Sequence, residues 1–234
     1  MAILLSLETS TMVCSAALHE DGKLLASLES QIPQTASSQL AVLINNLFNA
    51  CEVTPERIGG VVVSAGPGSY TGLRIGVATA KGFCYALNIP LLSVNTLELL
   101  AYKVISSTSH NKTILENKSA LLCPMLDARR MEVYCLVADQ NLNIVEQTNA
   151  KVIDELSFDT RLEKGPIYFF GNGALKCKEV ISHKNASFIG DITPAATGLG
   201  ELGYKKFQSK QFEELSSFEP LYLKDFVAKK PKSI

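Results

Sequence analysis

Tryptophan is absent from the 234 residues, histidine occurs three times, and no two cysteines form a C-x-x-C pair. Each absence excludes something. His19, His110 and His183 lie too far apart for two of them to share a helix face, so no His-x-x-x-His pair can hold a metal. No G-x-x-x-x-G-K-[ST] loop occurs, which removes Walker-type phosphate binding. No G-x-S-x-G elbow occurs either, and Gly66-Pro67-Gly68-Ser69 does not fit its spacing. A serine or cysteine nucleophile would need a base beside it, and none can be named, so peptidase chemistry is not expected. No apolar run is long enough for a membrane span. The opening run Met1 to Leu7 is cut by Glu8 and lacks a basic region, so it reads as a first strand rather than a signal peptide. Net charge is -1, which leaves no global field to draw the chain to nucleic acid or anionic membrane.

The composition that is present fits a globular interior: 47% hydrophobic and 19% charged residues, enough for one large domain or two small lobes. Cys14, Cys51, Cys84, Cys123, Cys135 and Cys177 mostly sit in apolar runs and read as buried thiols of a reducing cytoplasm. The sequons at Asn111, Asn117 and Asn185 then carry no meaning.

Periodicity predicts strands over Ile3–Glu8, Val13–Leu18 and Leu24–Leu28, with Asp21-Gly22 as a hairpin turn. Apolar residues at 40, 43, 44, 47 and 48 predict a helix from Ser37 to Cys51, capped by Ser37 or Ser38. A strand over Gly59–Ala65, a helix from Ser69 to Asn88, a strand over Pro90–Val94 and a helix over Leu97–Ile105 follow. The polar stretch Ser106 to Ser119 reads as an exposed linker between a lobe of residues 1–105 and a smaller one of residues 120–234. In the second lobe, strands are expected at Leu121–Leu126, Glu132–Ala138, from Asn143, at Ile167–Phe170 and at Ser187–Ile192, and a helix near Ala195–Phe207. Shifted by 119 residues without a gap, Glu8 falls on Asp127 and Asp21-Gly22 on Gln140-Asn141, which suggests an internal duplication.

The most specific segment is Gly66-Pro67-Gly68-Ser69-Tyr70-Thr71-Gly72-Leu73-Arg74-Ile75-Gly76, between an apolar strand and a helix. Strand, glycine turn and capped helix start can cradle an anion. The same arrangement also occurs in loops that bind nothing. This segment is similar to the signature of the TsaB family of bacterial tRNA threonylcarbamoyladenosine biosynthesis proteins. Leu7-Glu8-Thr9-Ser10, Leu126 to Tyr134 and Glu219-Pro220-Leu221-Tyr222-Leu223 resemble three further family stretches. The resemblance implies an α/β fold, the two-lobed actin-like ATPase fold (a duplicated ribonuclease H-like unit) with a reduced second lobe. It implies a non-catalytic role in forming threonylcarbamoyladenosine next to the anticodon of tRNAs that read codons beginning with adenosine. The catalytic partner would be TsaD, with a small ATPase, TsaE, in the same assembly and tRNA met only through the complex. No firmly bound cofactor is implied, ATP or ADP being placed at the partner interface. TsaD binds metal through two histidines on a helix; the comparable stretch here, Pro33 to Gln39, has none.

In the family, the two helices of the first lobe bundle with those of TsaD. The resemblance therefore places the partner surface on Ser37, Leu40, Leu43, Ile44, Leu47, Tyr70, Leu73, Arg74, Gly76, Val77, Ala80 and Lys81, a surface that would also support a homodimer. Arg74, a cation near a helix start, reads either as facing a further partner (an acidic side chain, a phosphate or a second subunit) or as a surface ion pair. The glycines of this helix read either as close packing on the chain's own sheet or on another protein. For nucleotide, the candidates are Glu8, Thr9, Ser10, Gly66, Gly68, Ser69, Asp127 and Gly171. Glu8 and Asp127 read equally as phosphate-site carboxylates and as strand-end residues that satisfy turn amides. Gly171-Asn172-Gly173 reads as a turn before it reads as an adenosine loop. A stand-alone ATPase or kinase using Glu8 and Asp127 is the main alternative, with a metal-dependent peptidase the lesser one. The histidines are expected on the surface or in turns, and the tail with Lys224, Lys229, Lys230 and Lys232 in solvent.

Overall fold

The computed structural model describes residues 1–32, 36–107, 114, 117, 119–190 and 192–224. Two five-stranded sheets carry the chain. The first is built from β1 (Ile3–Glu8), β2 (Cys14–Glu20), β3 (Lys23–Ser30), β4 (Ile58–Gly66) and β5 (Leu91–Asn95), in the order β3-β2-β1-β4-β5. The second is built from β6 (Leu121–Asp127), β7 (Glu132–Ala138), β8 (Ile144–Val152), β9 (Ile167–Phe170) and β10 (Ala186–Ile189), in the order β10-β9-β6-β7-β8. The two orders are the same order read five strands apart. In each sheet the first three strands pair antiparallel, and the last two join parallel to the first. The duplication suggested by the 119-residue offset is thus present as topology.

The helices repeat too, at unequal length. α1 (Ala36–Cys51), α2 (Tyr70–Leu87) and α3 (Thr96–Ser106) follow β3, β4 and β5. α4 (Asp159–Leu162), α5 (Ala174–Cys177) and α6 (Ala196–Gln208) follow β8, β9 and β10. α4 and α5 are single turns, too short for periodicity to reveal. That is the physical form of the reduced second lobe.

β1 is buried on both faces, as a central strand between helical layers must be. Ile3, Leu5 and Leu7 pack toward α1 and α2 with Leu40, Leu43, Ile44, Leu47, Val77 and Ala80. Leu4 faces the opposite side, where Val62, Leu92, Leu99 of α3 and Leu199 of α6 meet. α6, the last helix among the described residues, therefore packs on the first sheet. α3 in turn sends Leu97, Leu100, Ala101 and Val104 against the second sheet.

Several local expectations shift. α1 begins at Ala36, so Ser37 and Ser38 lie inside its first turn rather than at the cap. Asp21 and Gly22 form the expected turn with positive φ of 48° and 82°. The matching turn of the second lobe is set differently. Leu142 takes the left-handed conformation, and the Asp139 carboxylate accepts from the Asn141 and Asn143 amides. Most of Ser106 to Ser119 lies outside the described residues, but Ile114 is buried against the second sheet, so the stretch is not wholly exposed. His110, Lys229, Lys230 and Lys232 lie outside the described residues. All six cysteines are free thiols; five are buried and Cys51 is half-buried.

Candidate functional site

The glycine loop leaves β4 at Gly66, whose φ of +103° requires glycine. Ser69 caps α2 by accepting from the Gly72 amide at 3.3 Å. The Ser69 amide donates to the Ser10 carbonyl at 2.6 Å, and Thr9 Oγ1 donates to the Gly72 carbonyl at 2.7 Å. The β1–β2 loop is thus pressed against the first turns of α2. A Cβ at Gly68 would overlap Ser10, and one at Gly72 or Gly76 would overlap Thr9. These glycines serve close packing within the chain. Gly82 is different: a Cβ there would meet nothing, and Ala78 one turn earlier is exposed.

Ser10 and Ser64 close around Glu8, and Gly68 and Ser69 in turn stand against Ser10. The Glu8 side chain is fully buried, and it accepts from the Ser10 amide at 2.6 Å, from Ser10 Oγ at 2.5 Å and from Ser64 Oγ. Burial pushes its pKa from 4.5 up to about 7, although the Ser10 hydrogen bonds pull the other way. Asp127, at the same place on β6, meets the opposite environment. It is about half exposed, pairs with Lys176, and accepts from the Arg129 amide at 3.0 Å. Asn172 Oδ1 accepts from the Asp127 amide at 3.0 Å, and Gly171 (φ +95°) lies against the Met125 carbonyl. Gly171-Asn172-Gly173 is the duplicate of the glycine loop, packed on its own central strand. The structure brings Glu8, Thr9, Ser10, Gly66, Gly68 and Ser69 together in the first sheet, and Asp127 with Gly171 in the second. Among the described residues, no group of three or more His, Cys, Asp or Glu side chains stands close enough to hold a metal.

The helical surface divides the twelve residues expected to face a partner. Leu40, Leu43, Ile44, Leu47, Leu73, Gly76, Val77 and Ala80 are buried in the chain's own core, because an amphipathic helix turns its apolar stripe to its own sheet. Ser37, Tyr70, Arg74 and Lys81 keep solvent-facing surface. The outward face consists of Ala41, Val42 and Asn45 on α1 with Ala78, Gly82 and Tyr85 on α2, the last 84% exposed. Between the helices runs a groove of about 240 Å³ lined by Phe48, Thr79 and Phe83 among others. The Phe48 and Phe83 rings meet edge to face at 6.1 Å. Apolar periodicity does not mark this face, since Ala41, Asn45, Ala78 and Gly82 are small or polar and the exposed Val42 and Tyr85 stand off the buried stripe.

Arg74 has a local partner in place of an acid. Its guanidinium lies 5.5 Å from the Tyr70 ring centre and donates to the Tyr70 hydroxyl at 3.1 Å, and Tyr70 packs on Tyr222 at 4.8 Å. His19 corrects another expectation. β2 runs two residues past Leu18 and carries the ring into the interior, 1% exposed. The ring bridges Ser6 Oγ and the Thr197 carbonyl, each at 3.1 Å, and Gly200 leaves room for it. Burial lowers its pKa and keeps it neutral. His183 is half-buried, and its Nδ1 accepts from the Asn185 amide at 3.1 Å.

The C-terminal signature is also structural. The Glu213 carboxylate accepts from Ser93 Oγ at 2.5 Å, and the Leu221 amide donates to the Ala65 carbonyl at 2.7 Å beside the glycine loop. Lys224 reaches the second sheet and pairs with Glu132.

Comparison with known proteins places this arrangement. The family model for TsaD, tRNA N6-adenosine threonylcarbamoyltransferase, matches residues 29–234. The chain is 28% identical over 230 residues to the tRNA threonylcarbamoyladenosine biosynthesis protein TsaB of Bacillus subtilis, covering 94% of this chain and 93% of that one. With TsaB of Escherichia coli it shares 24% over 232 residues, 96% of each chain. The match to a transferase of Phocaeicola vulgatus, 28% over 162 residues, spans 47% of that enzyme's length. Among solved structures, YeaZ from Pseudomonas aeruginosa superimposes with a TM-score of 0.78 at 22% identity, over 95% of this chain and 100% of that one. The ADPNP-bound activator of the 2-hydroxyisocaproyl-CoA dehydratase from Clostridium difficile superimposes at 0.50 and 10% identity, over 89% and 97%, and shares the two-lobed actin-like fold alone. Matched by one family across most of its length and by two TsaB proteins nearly from end to end, the chain belongs to the TsaB branch of the TsaD family.

Proposed function

We propose that this protein is a non-catalytic subunit in the biosynthesis of threonylcarbamoyladenosine on tRNA. It holds a TsaD-like transferase through the outward face of α1 and α2, in an assembly that also includes a TsaE-like ATPase. It acts in the cytoplasm; no helix among the described residues is long and apolar enough to cross a membrane. The observation that carries the reading is the unfilled, small-residue surface around Ala78, Gly82 and the α1–α2 groove. Small residues let another helix approach closely, and two aromatic rings at the floor of the groove offer apolar contact. In the absence of the transferase the same face joins two copies of this chain.

The burial of Glu8 supports a non-catalytic role. A carboxylate that is to position a metal or water must stay charged and reachable, and Glu8 is neither open nor free of partners. Nucleotide in this reading sits at the partner interface rather than in the chain's own cleft.

Two measurements test the proposal. Ala78→Arg and Gly82→Arg place a long cation on the outward face without touching the core. Each is expected to abolish co-purification with the transferase while leaving the circular dichroism spectrum and melting temperature near wild type. Retained co-purification in both variants would remove the surface assignment. The purified chain alone is expected to show no ATP turnover; turnover lost on Glu8→Gln would establish the ATPase alternative instead.

A further inference from the structure

Resting on the function proposed above, we propose that the face formed by Tyr70, Arg74, Tyr222, Arg129, Arg130 and Lys224 is a contact surface for an RNA strand with unstacked bases, presented to the tRNA within the assembly. The chain has five arginines, at positions 57, 74, 129, 130 and 161, and three stand here. Arg161 is committed to Glu146 at 3.1 Å. Arg74, Arg129 and Arg130 have no ion pair among the described residues. Lys176 and Lys224 already face Asp127 and Glu132, and Glu219 beside Tyr222 is set against three guanidinium groups, which leaves a local positive excess in a chain whose net charge is -1.

The backbone that carries Arg129 and Arg130, between β6 and β7, is held in place. Arg129 and Arg130 hold positive φ of 70° and 48°, a conformation that side chains avoid unless the surroundings impose it. The surroundings here do so. The Lys176 ammonium donates to the Arg130 carbonyl at 2.7 Å and to the Glu132 carbonyl at 2.6 Å, and the Arg129 amide donates to Asp127. Both side chains are left exposed.

The aromatic part is continuous with the basic part. Tyr222 packs on Tyr70 yet remains 37% exposed. Two residues on, Lys224 crosses to Glu132, next to the arginine loop. Guanidinium forks match phosphate oxygens, and tyrosine rings accept unstacked bases. A row of cations flanked by an aromatic pair matches a repeating phosphate and base better than it matches one free anion.

The test is a fluorescence-anisotropy titration of a labelled tRNA transcript against the full chain in complex with its transferase, from about 50 to about 200 mM salt. The triple variant Arg74→Ala, Arg129→Ala, Arg130→Ala is expected to bind about tenfold or more weakly, with the salt slope reduced by about 2 to 3. Tyr222→Ala is expected to weaken binding with the slope unchanged. Co-purification with the transferase should survive both. Wild-type affinity and slope in the triple variant would overturn the proposal. Loss of the transferase from the variant complex would overturn it in favour of protein docking. Displacement of tRNA by stoichiometric ATP, with equal loss of ATP binding, would overturn it in favour of a nucleotide pocket. If the wild-type chain captures no transferase, the function proposed above fails by itself, and the same titration of the chain alone decides the RNA surface.

Discussion

Glu8 is a carboxyl group placed where its charge is costly. Its pKa of about 7, raised by burial, means that the native state keeps a proton that the unfolded chain, titrating near 4.5, has released. Between these values the native state binds more protons, so stability is full below pH 4.5 and is lost as pH rises through 7. The total is on the order of 3 kcal/mol. Glu8→Gln keeps the shape and the acceptor and removes the titration. Denaturant unfolding at about pH 5 and about pH 8 should show the wild type losing stability relative to the variant. Parallel pH dependence would mean that Glu8 is ionised and solvated in the native protein. His19 acts in the opposite sense. Its pKa is lowered by burial, so the neutral ring stabilises the fold above the ordinary imidazole range, and that stability is lost as pH falls through it. The comparison with Glu8→Gln cancels this contribution. The sequence reads all three histidines as surface or turn residues. Nothing in the sequence marks the two extra residues of β2, or the tolerance of Gly200, that let His19 go inside.

At the scale of one element, α2 carries two sets of glycine and alanine with opposite meanings. Gly72 faces the Thr9 carbonyl with no room for a methyl group, whereas Gly82 faces open space. Gly72→Ala is expected to cost about 3 kcal/mol through overpacking against backbone. Gly82→Ala is expected to raise stability by about 1 kcal/mol, since helical glycine is intrinsically poor. Equilibrium unfolding of the two variants checks both signs; equal effects would mean that the helix is rotated from the position described. The spacing of Leu40, Leu43, Ile44, Leu47 and Phe48 made α1 legible, and the Ser69 cap made the start of α2 legible. That pattern sets which residues enter the chain's own core, whereas the partner surface expected on these two helices came from the family resemblance; eight of its twelve residues are buried. Periodicity reports which residues leave water, and here they leave it against their own sheet. On α2 the outward face is legible only as the small-residue spacing Ala78-x-x-x-Gly82, which serves equally for packing on the chain's own sheet or on another protein.

At the scale of the molecule, the duplicated sheets were legible as a gapless offset that laid Glu8 on Asp127 and one hairpin turn on another. The helices were less so. One-turn α4 and α5 leave no periodic trace, and no local signal tells that α6 returns to the first sheet while α3 packs on the second. The C-terminal segment closes the arrangement, from Ser93 past the glycine loop to Glu132. It therefore ties β5, α2 and the second sheet into one unit, with the outward face of α1 and α2 left for another protein. The most direct test of that division of labour is tRNA modification by the purified transferase and ATPase partners, measured without this chain, with it, and with Gly82→Arg. The account predicts modification only with the wild-type chain, and its loss in the folded variant. Modification that proceeds equally in all three would contradict it.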